Sequence, residues 1–377
     1  MSGRDPGSRR RWVVKLGSSL LTADGRGVDQ VALADWCRQI ARLREAGREV
    51  VVVTSGAVAA GMARLGLHQR PTDLAQLQAV AAVGQLGVAR LWEQSLAEQG
   101  LQAGQVLLTH EDAASRARYL NARNTLQALL QWQIVPIVNE NDTVATDEIR
   151  FGDNDTLAAV TADLCSADLL VILTDQPGLL DADPRTHPSA RLISNISAAD
   201  PALDAMAGGG AGALGRGGMQ TKVLAARMMA RSGVPSIIAG GREDDVLLRI
   251  AAGETIGTWL QPPGTQRLPA RKRWLVAQRR LRGQLYLDRG AEQALRAGGR
   301  SLLPVGVVRV EGRFSRGDVV ACMAPDGTEI ARGLCNYDAA EARRLCGQAS
   351  DQVAAVLGRP GEAEMIHRNN LVLTART

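Results

Sequence analysis

The chain has 377 residues and a mass of 40.0 kDa, more than one hydrophobic core usually supports, so about two domains are expected. Apolar residues make up 45% and charged residues 22%, an ordinary globular composition that excludes a disordered or fibrous chain, and no apolar run approaches the ~18 residues of a membrane span. The formal net charge is +5 and the five cysteines (37, 165, 322, 335 and 346) have no CxxC spacing, which argues against a disulfide framework or a zinc site.

From the start, Met1 to Arg11 is basic but lacks the apolar segment of a secretory signal, so it reads as a disordered lead on a cytoplasmic protein. Short apolar runs at 12–14, 49–53, 105–108, 134–138, 169–173 and 236–239 have the length and β-branched content of strands. Between them, Val31 to Ala46, Ala75 to Gln99, Ala122 to Gln131, Thr156 to Cys165 and Met219 to Ser232 have the length and Ala/Leu content of helices. This alternation predicts a mostly parallel α/β sheet with helices on both faces. Nearly every strand ends in a polar, glycine-containing turn: KLGSS, VTSGA, LLTHED, VNEND, LTDQPG and IAGG. Ligands of open α/β sheets bind outside the carboxyl ends of the strands, so these turns are expected to meet in one cleft.

Gln261-Pro262-Pro263-Gly264, followed by Arg271-Lys272-Arg273, reads as a linker, placing one domain at 9–262, the linker at 263–280 and a second domain at 281–359. Segments 303–310, 318–323 and 329–334 are short and β-like, separated by glycine turns, which suits a small barrel. Charge divides along the same line. Residues 1–262 hold 25 Lys plus Arg against 28 Asp plus Glu, whereas residues 263–377 hold 19 against 11 and are net +8. That basic third suits either a polyanion such as nucleic acid or a solvated arginine-rich surface.

Of 44 Lys plus Arg, only Lys15, Lys222 and Lys272 are lysine. Lys15 ends a strand and opens Gly17-Ser18-Ser19; Lys222 closes the glycine-rich stretch Gly215 to Thr221. Ammonium is a compact charge on a flexible stem, whereas guanidinium is a broad planar fork, so a chain tolerant of arginine elsewhere is expected to need ammonium at these two places. Gly210, Gly212 and Gly215 satisfy GxGxxG, but no strand precedes them, and the absence of a Gly-Lys dipeptide removes a Walker A loop. What is left is a loop whose amides can face phosphate, running into a helix N-terminus, or else a surface loop without a ligand. The acidic turns Asn139-Glu140-Asn141-Asp142 and Asp153-Asn154-Asp155 hold more polar groups than helix capping requires, and they can orient an ammonium group while one carboxylate positions the lysines.

KLGSS at 15–19, VTSGAVAAG at 53–61, LNARNT at 120–125, IVPIVNENDTVATDEI at 134–149, FGDND at 151–155, LTDQPGLLDADPR at 173–185 and GGMQTK at 217–222 occur in the order found in the glutamate 5-kinase family. The chain resembles that branch of the amino-acid kinase superfamily in its longer form. LLPVGVVRVEGRFSRGDVV at 302–320 and the hairpin from Gly327 to Gly333 resemble its C-terminal PUA domain. The resemblance implies a three-layer αβα sandwich around a mostly parallel sheet, plus a β-barrel-like PUA domain. It also implies transfer of the γ-phosphoryl group of ATP to the side-chain carboxylate of L-glutamate, the first step toward proline, with Mg2+ on the phosphates and no protein ligands assigned to it. By the same resemblance, Lys15 and Lys222 stabilise the transferred group and Asp155 orients them. Ser55, Asp142 and Asn154 correspond to glutamate-binding positions, with Asn139 nearby. Lys15, Thr174, Asp175, Arg216, Gly217, Gly218, Met219, Gln220, Thr221 and Lys222 correspond to the ATP site. The family usually has threonine where this chain has Arg216, a change that is tolerated if the loop works through backbone amides. A homo-oligomer, feedback inhibition by proline and RNA binding by the PUA domain are further implications. Two rivals stand beside this reading: a kinase of the same fold acting on another acid, and an RNA-binding protein whose kinase domain is a relic.

Overall fold

The structure is a computed structural model that describes residues 5–22, 27–145, 154–182, 187–208, 218–263, 275 and 281–374. The chain divides into two compact units, Met1–Arg267 and Leu268–Thr377.

In chain order the first unit contains β1 (Arg11–Leu16), α1 (Ser18–Leu21), α2 (Gln30–Glu45), β2 (Glu49–Val53), α3 (Ala57–Leu65), α4 (Leu74–Ala97), β3 (Ala103–Leu108), α5 (His110–Ala114), α6 (Arg116–Gln131) and β4 (Val135–Glu140). It continues with α7 (Asn154–Leu164), β5 (Leu169–Thr174), β6 (Asn195–Ser197), α8 (Ala202–Met206), α9 (Met219–Arg231), β7 (Ser236–Gly240), α10 (Val246–Ala251) and β8 (Thr258–Gln261). The strands form one sheet in the order β3-β4-β2-β1-β5-β7-β8-β6. All neighbours from β3 to β7 are parallel, β8 runs antiparallel to β7, and β6 is parallel to β8. The expected mostly parallel sheet is therefore present, and the sequence reading missed its short outer strands β6 and β8.

Burial explains which runs became central strands. β5, Leu-Leu-Val-Ile-Leu-Thr, is buried at every position, as a parallel strand covered on both faces must be. In β1 the alternation sorts side chains between the two helical layers. Trp12, Val14 and Leu16 join a core with Leu33, Trp36 and Ile40 of α2, Val88, Trp92 and Leu96 of α4, and Val246 and Ile250 of α10. Val13 and Lys15 therefore point the other way, toward the layer of α6, α7 and α9. The indoles that fill the core keep their N–H groups satisfied: Trp36 Nε1 donates to Gly241 O and Trp92 Nε1 to Thr54 Oγ1, each at 2.9 Å.

Helix starts follow capping chemistry. Asp29 accepts from Ala32 N at 3.1 Å to open α2, and Asp73 accepts from Gln76 N at 3.0 Å to open α4. α3 begins differently, from Gly56 at φ 90°, a left-handed turn that a side chain would strain. α3 and α4 then cross at glycine: a β-carbon on Gly84 would stand 1.8 Å from Ala57 O, and one on Gly61 would stand 1.9 Å from Val80 O. These two positions admit hydrogen alone.

The second unit contains β9 (Gly283–Leu287), α11 (Arg289–Arg296), β10 (Val307–Gly312), β11 (Val319–Met323), β12 (Glu329–Leu334), α12 (Ala339–Leu345), α13 (Val353–Leu357) and β13 (Leu371–Leu373). Its sheet has the order β10-β9-β11-β12-β13, with β9 and β11 parallel and the other pairs antiparallel. Leu285, Val320, Cys322, Ile330, Tyr337 and Ile366 centre its own core. Pro304–Gly306 is a 3₁₀ turn, so the strand expected over 303–310 starts at Val307. Asp338 and Glu341 close a capping box at the start of α12.

Candidate active site

The parallel strands bring their carboxyl ends to one edge of the first sheet. β1 lies between β2 and β5, so the chain moves outward to β2 on one side and later crosses to β5 on the other. That switch point is where open α/β sheets form a cleft.

Three charged side chains from three elements meet there. Lys15 extends from β1, Asp155 from the first turn of α7 and Lys222 from the first turn of α9, and their exposures are 4%, 0% and 4%. Lys15 Nζ lies 2.6 Å from Asp155 Oδ1, and Lys222 Nζ lies 3.1 Å from Asp155 Oδ2. Thr221 Oγ1 donates to Oδ2 at 2.7 Å. Burial pushes the Asp155 carboxyl upward, yet the two ammonium groups and these hydrogen bonds outweigh it and hold the acid below its ordinary range. One carboxylate therefore grips two cations, one per oxygen, and its own span limits how far apart they stand.

A second cluster lies beside the first. Asn154 Nδ2 donates to Thr54 O at 2.6 Å, to Ser55 Oγ at 3.1 Å and to Asn139 Oδ1 at 2.7 Å. This ties the ends of β2 and β4 to the first residue of α7. Ser55, Asn139 and Asn154 are all buried. Asp142 follows in the turn after β4, and burial raises its carboxyl to about 6 despite the opposing charge of Arg70. A carboxyl so placed takes a cation in its ionised form.

Thr174 ends β5, buried, and donates to Asp175 Oδ1 at 3.0 Å, while Asp175 is exposed. No hydrogen bond among the described residues joins this pair to Asp155 and its lysines. Gly218 precedes α9 in extended conformation without a side-chain cap, and Met219, Gln220, Thr221 and Lys222 form the first turn of the helix. Helix N-termini attract anions because their amides lack intrahelical partners. Arg216 and Gly217 lie outside the described residues. Among the described residues no group of three or more His, Cys, Asp or Glu side chains is arranged to hold a metal ion.

Sequence reasoning missed Thr54, Gln78 and Gln85. Gln85 Oε1 accepts from Asn139 Nδ2, and Gln78 Nε2 donates to Ala145 O at 2.9 Å. Both glutamines lie inside the long amphipathic helix α4, where nothing local distinguishes them from solvated positions.

Residues 10–240 match the amino acid kinase family, and residues 283–357 match the PUA domain. The chain is 59% identical over 364 residues to a glutamate 5-kinase of Pseudomonas fluorescens strain Pf-5, covering 97% of this chain and 98% of that one. It is likewise 59% identical to a glutamate 5-kinase of Stutzerimonas stutzeri strain A1501 over the same shares. Among solved structures, the UMP kinase of Bacillus anthracis is similar with a TM-score of 0.47 at 16% identity, covering 69% of this chain and 99% of that one. With a mostly parallel α/β sheet, a family match over residues 10–240 and near full-length relatives, the chain belongs to the amino acid kinase family.

Proposed function

We propose that the protein transfers the γ-phosphoryl group of ATP to the side-chain carboxylate of L-glutamate, giving L-glutamyl 5-phosphate, the first step of proline biosynthesis from glutamate. The observation that carries this reading is the grip of Asp155 on Lys15 and Lys222 at 2.6 and 3.1 Å, next to a separate polar cluster suited to an amino acid. Relatives at 59% identity that bear the name glutamate 5-kinase support the choice of acid.

The acceptor is a carboxylate with an ordinary pKa near ~4.3, already ionised at neutral pH, so no general base is required. A carboxylate oxygen forms a bond to the γ-phosphorus, the bond from that phosphorus to the bridging oxygen breaks, and ADP leaves with the electron pair. Two anions must meet, so alignment and charge neutralisation supply the rate. Lys15 and Lys222 bracket the migrating group and Asp155 keeps them aimed. Ser55, Asn139, Asn154 and Asp142 hold the amino acid. The start of α9 and the end of β5, including Thr174 and Asp175, receive the nucleotide. Magnesium would arrive on the ATP phosphates and neutralise part of their charge, with no protein ligands assigned to it.

Proline as a feedback inhibitor competing for the glutamate cluster, a homo-oligomeric assembly and a cytoplasmic location complete the proposal. The catalytic body is residues 9–262. The PUA match and the net +8 of residues 263–377 support RNA as a partner of the second domain. The deciding experiment supplies ATP, magnesium and one acid at a time, traps acyl phosphate with hydroxylamine, and repeats the run with proline. Turnover with L-glutamate supports the assignment; turnover with aspartate or acetylglutamate in its place rejects it.

A further inference from the structure

α4 lies against the acid cluster through two glutamines seven residues apart, on one stripe of the helix. Gln78 holds Ala145 O and Gln85 holds Asn139, so the helix grips both ends of the segment that carries Asp142. The close glycine crossing of α3 and α4 at Gly61 and Gly84 brings the helix within reach.

The hydrogen bonds in this cluster run in one direction. Amide oxygen and nitrogen have nearly the same shape, so their assignment follows from the partners. Thr54 O is a backbone carbonyl and can only accept, so the atom of Asn154 that faces it at 2.6 Å is Nδ2. Asn139 meets the same Nδ2 and must turn its Oδ1 toward it, at 2.7 Å. Asn139 Nδ2 then points to Gln85, which receives it through Oε1. One acceptor of the chain is left over: Asn154 Oδ1, on a residue only 6% exposed, with no partner among the described residues and not sealed from solvent. A carbonyl oxygen left open in the same cluster as the Asp142 turn suits a donor-only cation.

We propose that Gln85 is a positioning residue of the acid site: by accepting from Asn139 Nδ2 it secures Asn139 Oδ1 as the second acceptor, beside Thr54 O, that holds Asn154 Nδ2 in place and leaves Asn154 Oδ1 turned toward the α-ammonium group of the bound amino acid. This rests on the reading that the acid substrate is an amino acid. Without an acceptor at position 85, Asn139 Nδ2 loses its partner, and the side chain is held in its present direction by Asn154 Nδ2 alone, so the second hold on Asn154 weakens.

The test compares L-glutamate with glutarate, which has both carboxylates but no ammonium group, so the ratio of their dissociation constants isolates the ammonium contact. Gln85→Met keeps the length and helix preference of the side chain but removes the acceptor, and is expected to lower the preference for glutamate by about tenfold, with KM for ATP unchanged. Gln85→Glu retains an acceptor and is expected to retain the preference. In an Asn139→Asp background, where both oxygens accept and no orientation needs fixing, Gln85→Met is expected to cost nothing further. Equal losses in the Met and Glu variants, or an unchanged preference in Gln85→Met, overturn the assignment. A wild-type protein that binds glutarate as well as glutamate removes the amino-acid reading, and this assignment with it, before any variant is made.

Discussion

Lys15 Nζ stands 2.6 Å from Asp155 Oδ1, and both side chains are almost wholly closed off from water. One comes from the central strand and the other from the first turn of a helix more than a hundred residues later, so the contact joins the sheet to the α7 layer. Removing one member of such a pair leaves a buried charge without its counterpart, which costs far more than the pair itself contributes.

Asp155→Asn is therefore expected to affect both activity and folding. Turnover should fall by roughly 100-fold or more as the two cations lose their common anchor, and the free energy of unfolding should fall by about 3–5 kcal/mol. Steady-state kinetics and urea titration read the two separately. Near-normal turnover would remove Asp155 from the site.

Lys222→Arg tests whether ammonium itself is required. Arginine preserves the charge but replaces a point donor with a planar fork, in a position only 4% exposed. A loss of about 100-fold in kcat is expected, with the protein still folded by circular dichroism. An active arginine variant would make the scarcity of lysine in this chain an accident of composition.

Asp142 sets the acid limb of the pH profile. Its carboxyl is raised to about 6 by burial, so it stays protonated to a higher pH in the folded chain than in an open one. As pH falls through about 6 the group loses its charge, and kcat/KM for the amino acid should fall with it. Stability moves the other way. The folded state binds this proton more tightly than the unfolded state, so the group's contribution to stability grows as pH falls through about 6 toward the ordinary value of 3.8. Asp142→Asn should abolish the limb in kcat/KM and raise KM for glutamate at every pH; a limb that persists assigns it to another group.

Gly84→Ala adds one methyl where the nearest atom, Ala57 O, would be 1.8 Å away. That atom is backbone, so helix α3 must move, and a loss of about 1–3 kcal/mol or more is expected in thermal or urea unfolding. α3 follows directly from the Ser55-Gly56 turn, so KM for glutamate should rise more than KM for ATP. Unchanged stability would mean that the helices separate at no cost.

Much of this arrangement was legible beforehand, for identifiable reasons. The strands at β1, β2, β4, β5 and β7 are runs dense in valine, isoleucine and leucine because both their faces are covered, and that density is visible in one dimension. β6 and β8 escaped because they are three and four residues long and lie at the far side of the sheet. Lys15 and Lys222 stood out by residue type, and Asp155 by its acidic turn. Gln85 gave no such signal: its meaning depends on an asparagine 54 residues away, which only the packing of α4 against β4 brings near.

The two lysines are mounted on different supports. β1 is paired along its length with β2 on one side and β5 on the other, so the Cα of Lys15 cannot shift without rupturing two ladders. Lys222 is the fourth residue of α9, in a first turn that has no side-chain cap and in which Thr221 N reaches Gly218 O at 3.2 Å. One positive pole of the cleft is set by two strand ladders and the other by the start of a single helix, so a ligand seated on the first turn of α9 acts on the electric field from one side only.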